Sequence, residues 1–383
     1  MRSAVSRHAV ARPATTRNGD TRAAGGSWVD GLLQEILTAT YWFDPGDEGE
    51  PYSTTIRFRG RRTRVNGKPS TRDSFVKDET IDGVIPGSGP TAVTTRVSGI
   101  NPGRWIVTAE PLARGSVRAK PRPTGGVEGL QRPWPWVSVR PTDATLLKTA
   151  VAPLARVPGV IPGAYTALVA LGMLVGLATL LAIVGSVGIT QGPVLVASLT
   201  ALFVGLIGGK SLYVAQQRGK RFEGWCIQGF VVGTAVAGTV ALLFLRLPVG
   251  VVLNASAPAL FLGIAVGRPG CFVAGCCGGR PTAARWALWC SDQRIGTRRI
   301  PTQLIESLLA LVIGAATLFL FLQVRPLLPG ALFVGAVAAY ALGRQFILPL
   351  RSDPRLRSST GRLVTVTVAA LVLGADVLLS TAI

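Results

Sequence analysis

Residues 164–187 read AYTALVALGMLVGLATLLAIVGSV, and this stretch decides the fold. It has no charged side chain and is longer than the roughly 20 residues a helix needs to cross about 30 Å of hydrocarbon. Six more stretches of the same kind follow, near 193–216, 225–246, 249–268, 302–324, 330–350 and 361–382. The pattern predicts a mainly α protein built on a seven-helix transmembrane bundle over residues 164–383. Composition agrees: of 383 residues 48% are hydrophobic and 15% charged, where soluble domains carry about 25% charged.

The polar residues are unevenly placed. Residues 1–150 hold 14 of the 19 acids and 22 of the 40 bases, a net of +8, leaving +13 of the total +21 on the apolar part. A basic membrane part favours anionic lipid head groups as partners over nucleic acid. Residues 1–26 are basic and small, predict a disordered tail, and contain no apolar core of the kind a secretory signal peptide needs. Residues 27–112 read as β: YSTTIRF, DSFVKDE, TAVTTRV and RWIVTAE are separated by the turn signals VNGKP, IPGSGP and INPG. That spacing suggests a small sandwich-like soluble domain. Residues 113–163 are proline-rich, a semi-rigid tether with Trp134 and Trp136 suited to the head-group region.

Antiparallel spans define two membrane faces. Lys210, Gln228, Arg268, Gln303, Glu306 and Arg344 all fall near the face that carries the N-terminal region and the long 269–301 connection; Asp376 does not. Charges in hydrocarbon cost about 2.5–3.5 kcal/mol each on insertion scales, so they tend to mark sites. Snorkelling of Lys210 and Arg268 to the interface is the plain alternative. Arg344 lies about six residues, roughly 9 Å, inside its span, with Tyr340 one turn earlier. Two or three arginines facing Glu306 predict a pocket for a phosphate-bearing lipid. His8, in the tail, is the single histidine, which excludes histidine-based triads and metal sites in the folded part. Cys226, Cys271, Cys276, Cys277 and Cys290 match no common zinc or iron–sulfur spacing. Neither metal nor cofactor is expected; a reactive thiolate near Arg280 and simple packing stay open.

The run GRPGCFVAGCCGGRPT (267–282), followed by RIPTQLIESLL (299–309) and YALGRQFI (340–347), resembles the prolipoprotein diacylglyceryl transferases of bacteria. The resemblance implies a multi-pass enzyme of the inner (plasma) membrane that moves diacylglycerol from phosphatidylglycerol to the lipobox cysteine of a prolipoprotein, whose signal peptide would be a partner. It also implies the site. Arg268, Arg344, Glu306 and Gln228 fall on catalytic positions, and Gly270, Cys271, Gly279, Arg280, Gln303 and Tyr165 on substrate-binding ones. The chain departs from the pattern at several of these. Cys271 replaces an asparagine, Cys276 and Leu348 replace glutamates, and Gln228 replaces a histidine. With that histidine gone, Glu306 is the expected general base. A non-catalytic lipid-binding scaffold, or a paralogue acting on the cytoplasmic leaflet, is the alternative.

Orientation is ambiguous in the sequence. Twelve bases lie in short connections on the N-terminal face against Arg246 and Arg325 on the other. The positive-inside rule puts the N-terminal face in the cytoplasm, whereas the resemblance implies the opposite.

Overall fold

The fold is described from a computed structural model over residues 34–63, 68–112, 138–139, 144–217, 226–324, 328–352 and 359–381. The basic tail 1–26 and most of the tether, with Trp134 and Trp136, lie outside the described residues.

Seven helices are long and apolar enough to cross a membrane. They are built on α1 (Ala164–Ser186), α2 (Gln191–Gln216), α3 (Ile227–Phe244), α4 (Val249–Gly267), α6 (Thr302–Gln323), α7 (Ala331–Ile347) and α8 (Ser359–Thr381). The short α5 (Pro269–Ala274) continues α4 past Arg268. Apolar side chains cover most of each helix circumference, as hydrocarbon on one side and protein on the other require. Two helix pairs pack closest, α2 on α3 and α1 on α4. At both crossings glycine lets backbone touch backbone: a Cβ on Gly208 would stand 2.7 Å from the Gly229 carbonyl oxygen, and one on Gly172 2.5 Å from that of Gly263.

Eight strands precede the helices: β1 (Glu35–Phe43), β2 (Tyr52–Arg62), β3 (Ser74–Val84), β4 (Thr91–Val97), β5 (Arg104–Leu112), β6 (Ser138–Val139), β7 (Thr145–Lys148) and β8 (Ala150–Val151). The last three lie beyond the segment read as β, inside the stretch read as tether. Alternation is clear in β5, where Trp105, Val107 and Ala109 are buried, whereas β1 buries Ile36 and Thr40 as well as Leu37, Ala39, Tyr41 and Phe43. One sheet runs β3-β2-β5-β7. The other runs β6-β1-β4, with β8 also on β1, and continues past β4 into two strands of a later connection. One buried cluster takes Tyr41 and Phe43 from the second sheet and Phe58 and Trp105 from the first.

The strands β9 (Leu288–Ser291) and β10 (Ile295–Arg299) belong to the long connection between α5 and α6. β10 pairs antiparallel with β4, Ile295 opposite Val93 and Gly296 opposite Ala92. Side chains reinforce the join. Trp289 stacks on Trp42 with ring centroids 5.4 Å apart, and its Nε1 donates to the Pro90 carbonyl at 2.8 Å. Arg294 pairs with Glu79 at 3.0 Å. Strands β1, β4, β6 and β8 and the connection therefore form one continuous sheet, on the membrane face where α4 ends and α6 begins.

Candidate active site

α6 starts after Pro301, and Thr302, Gln303 and Glu306 occupy its first turns. All three are buried, Glu306 with no exposed surface and Gln303 with 1%. The spacing of Gln303 and Glu306 puts both on one helix face. That face meets the signature loop: Gln303 Nε2 donates to the Cys276 carbonyl at 2.7 Å and Thr302 Oγ1 to that of Cys277 at 3.1 Å.

Three arginines converge on Glu306. Arg351 Nη2 donates to Oε2 at 2.7 Å, Arg268 Nη2 lies 3.1 Å from the same oxygen, and Arg344 Nε lies 3.2 Å from Oε1. The sources are separate: Arg268 at the α4–α5 junction, Arg344 in the last turn of α7, Arg351 just after the short 3-10 turn Leu348–Leu350. Three positive charges against one negative leave the cluster at +2. The arginines are not equivalent. The Arg351 side chain is 7% exposed, Arg268 20% and Arg344 40%. Arg344 is thus the most exposed of the three.

Arg351 is absent from the sequence expectation, which counts it only among loop bases. A signal exists, since it follows Arg344 by seven residues, two helical turns. Backbone pairing sets its place. Gly279 bridges to Arg351, Arg280 N donates to the Leu350 carbonyl at 2.9 Å, and Ser352 N to that of Gly278 at 3.2 Å. The other edge of the same segment is held by Ile300 N on the Arg280 carbonyl at 3.1 Å. Arg299, buried and paired with Asp292 at 2.7 Å, was also missed; it ties β10 to the loop.

The remaining expected residues divide. Gly270 packs on α1, where a Cβ would stand 3.4 Å from Tyr165 Cα. Tyr165 is half-exposed and within electrostatic reach of Arg268 and Cys271, Cys276 and Cys277. Arg280 is exposed and lines a different space, a cleft of about 270 Å³ shared with Asp82, Val84, Thr297 and Ser352. Gln228 is exposed on α3, which packs against α2, and it makes no hydrogen bond or ion pair with the arginine cluster among the described residues. Glu306, the expected general base, has a wholly enclosed carboxylate engaged by three guanidinium groups.

The cysteines also differ from their spacing. Cys271, Cys276 and Cys277 bring their sulfurs within 4.8 Å of one another. Hydrogen bonds from Cys271 and Cys276 drive the Cys277 thiol strongly down, with Arg351 and Arg268 adding to the effect. Cys290 stands apart in β9, and burial pushes its thiol up to about 11.

A sequence profile described as "Prolipoprotein diacylglyceryl transferase" matches residues 156–378. Among curated relatives carrying the name phosphatidylglycerol–prolipoprotein diacylglyceryl transferase, that of Dehalococcoides mccartyi strain 195 is 29% identical over 169 residues, 41% of this chain and 64% of the relative. That of Clostridium tetani is 26% identical over 204 residues, 50% of this chain and 81% of the relative. That of Gloeobacter violaceus is 32% identical over 196 residues, 45% of this chain and 72% of the relative. The chain spans 64% of the Dehalococcoides relative's length and 50% of that of a Nostoc relative. The profile takes in more than half of the chain, with all seven candidate spans and every arginine of the cluster inside it or at its limits. This is a multi-pass membrane protein, and it belongs to the prolipoprotein diacylglyceryl transferase family.

Proposed function

We propose that the protein is a transferase of the bacterial plasma membrane, taking a diacylglyceryl group from an anionic glycerophospholipid, phosphatidylglycerol, and passing it to the lipobox thiol of a prolipoprotein. The observation that carries this reading is the unbalanced charge: a +2 arginine cluster at the membrane face, with Arg344 partly open. Such a cluster complements a phosphodiester. In the reaction the acceptor sulfur attacks the glycerol carbon that bears the phosphate. The S–C bond forms, the C–O bond breaks, the electron pair leaves with the phosphate oxygen as glycerol phosphate, and the thiol proton ends on that leaving group. Arg344 and Arg268 meet the charge that grows on that oxygen. Glu306 and Arg351 are positioning residues that hold those two in place.

The strands belong to this reading as well. We take the two sheets over residues 27–112, with the strands that join them from the tether and the connection, as a sandwich-like module seated on the signature loop. The cleft lined by Arg280 lies between module and loop and suits an extended acceptor segment. Residues 164–383 form the membrane domain.

Arg344→Ala tests the chemistry. In micelles holding phosphatidylglycerol and a lipobox peptide, lipidation followed by mass spectrometry is expected to fall about 10²–10³-fold, with the protein still monodisperse. Turnover within a fewfold of wild type would sink the assignment. A scaffold without turnover is the second reading, favoured by the commitment of Glu306 to arginine. It predicts retained lipid binding with no transfer by the wild type.

Orientation follows from the acceptor. Exported prolipoproteins need the site at the outer face, and β10–β4 pairing ties the N-terminal module to that same face. Trypsin added to intact spheroplasts is expected to remove an N-terminal tag. Protection there, with cleavage in inverted vesicles, would exclude exported acceptors.

A further inference from the structure

We propose that Cys271, Cys276 and Cys277 form a binding site for a thiophilic d10 cation, zinc(II) or copper(I). The inference is independent of the transferase reading, because its readout is bound metal.

The three sulfurs come together through a chain reversal. Cys271 lies in α5, which ends at Gly275 in the left-handed conformation, φ +71°. The Cys276 amide then donates back to the Cys271 carbonyl at 3.1 Å, folding Cys276 over the helix end. Cys277 is itself left-handed, φ +57°, a conformation that a residue with a Cβ adopts at a cost of roughly 1–2 kcal/mol. The result is a tripod with all three sulfur atoms within 4.8 Å of one another. A tetrahedral thiolate site with bonds of about 2.3 Å needs sulfurs roughly 3.8 Å apart, which small rotations of these side chains reach. Soft thiolates select zinc(II) and copper(I) over hard cations.

The surroundings fit a charged thiolate complex. Three thiolates leave a net −1 around zinc(II) and −2 around copper(I). Arg268 Nη1 lies 4.0 Å from Cys271 Sγ, and it belongs to the +2 arginine cluster that can balance either complex. A second feature points to a ligand. Gln303 is 1% exposed and its Oε1 has no hydrogen-bond partner, while its Nε2 holds the Cys276 carbonyl at 2.7 Å. Within the proposal that oxygen serves as the fourth donor, or as the acceptor for a water on the metal. Packing alone would not gather three sulfurs with Cys277 exposed, and Cys226 and Cys290 take no part.

The test uses the full chain in detergent, reduced, stripped with a chelator, and loaded separately with zinc(II) alone and copper(I) alone. After desalting, metal is counted by mass spectrometry; cobalt(II) substitution reports thiolate ligation through sulfur-to-metal charge transfer. One equivalent per chain of either cation is expected, with a rise in melting temperature on loading. Cys271→Ser, Cys276→Ser and Cys277→Ser should each reduce bound metal to background, and Cys226→Ser should retain it. Folded, reduced wild type that holds neither cation overturns the proposal, whatever the variants do. So does metal retained by all three serine variants, or a disulfide among the three that persists after reduction.

Discussion

Glu306→Ala is expected to cost more stability than any other single change in the arginine cluster. Among the described residues the carboxylate is the one acidic side chain paired with Arg268, Arg344 and Arg351, and it has no exposed surface. Removing it leaves three cations together at the membrane face, of which Arg351 is almost wholly enclosed. Breaking a buried ion pair by deleting one partner costs about 3–5 kcal/mol, because the surviving charge stays desolvated. Here the enclosed Arg351 survives beside two partly exposed cations, so a loss within that range is expected. Glu306→Ala should lower both the yield of monodisperse protein and the melting temperature in detergent. Glu306→Gln, which keeps the shape and one acceptor oxygen, should fall between it and wild type. The cause can be isolated by a double-mutant cycle. Arg351→Met, which removes the most buried cation, should recover part of the Glu306→Ala loss. If Glu306→Ala melts as wild type does, the cluster is not what anchors α4, α6 and α7 at this face.

How much of this was legible in the sequence depended on whether the cause was local. Span positions came from hydropathy, a local property: the second was read at 193–216 and runs Gln191–Gln216. Arg268, Arg344 and Glu306 were legible because charges in apolar helices stand out. Arg351 was hidden because it follows Pro349, outside any apolar stretch, and backbone pairing with Gly279 brings it in. The β10–β4 join was equally hidden, since the paired residues are some 200 positions apart and no local signal reports such pairing. Gln228 is a different case: the resemblance puts it on a catalytic position, while α3 packs on α2 and leaves that side chain exposed. The cysteine tripod escaped because spacing rules assume a regular turn, and here two left-handed positions, Gly275 and Cys277, flank Cys276.

Gly279→Ala should be a strongly damaging one-carbon change in the signature loop, and its neighbour supplies the control. Both glycines lie outside the left-handed region, so the comparison isolates space. A Cβ on Gly279 would stand 2.2 Å from the Ile300 carbonyl oxygen and 2.8 Å from Ile300 Cβ. Neither atom is the free end of a flexible side chain, so ordinary contact requires the 278–280 segment to move by about an ångström relative to Ile300. That segment bridges to Arg351 at Gly279 and accepts from Ser352 at Gly278. The displacement therefore reaches the guanidinium on Glu306. A shift of this size in a catalytic constellation can cost about 10²-fold in rate. A Cβ on Gly278, by contrast, meets nothing nearer than Gln303 Nε2 at 3.7 Å. Gly279→Ala is expected to lower both melting temperature and lipid transfer, the latter about 100-fold, while Gly278→Ala stays close to wild type in both. Equal behaviour of the two would mean that contact with Ile300 does not position Arg351. The melting comparison decides this even if the protein proves to bind lipid without turnover.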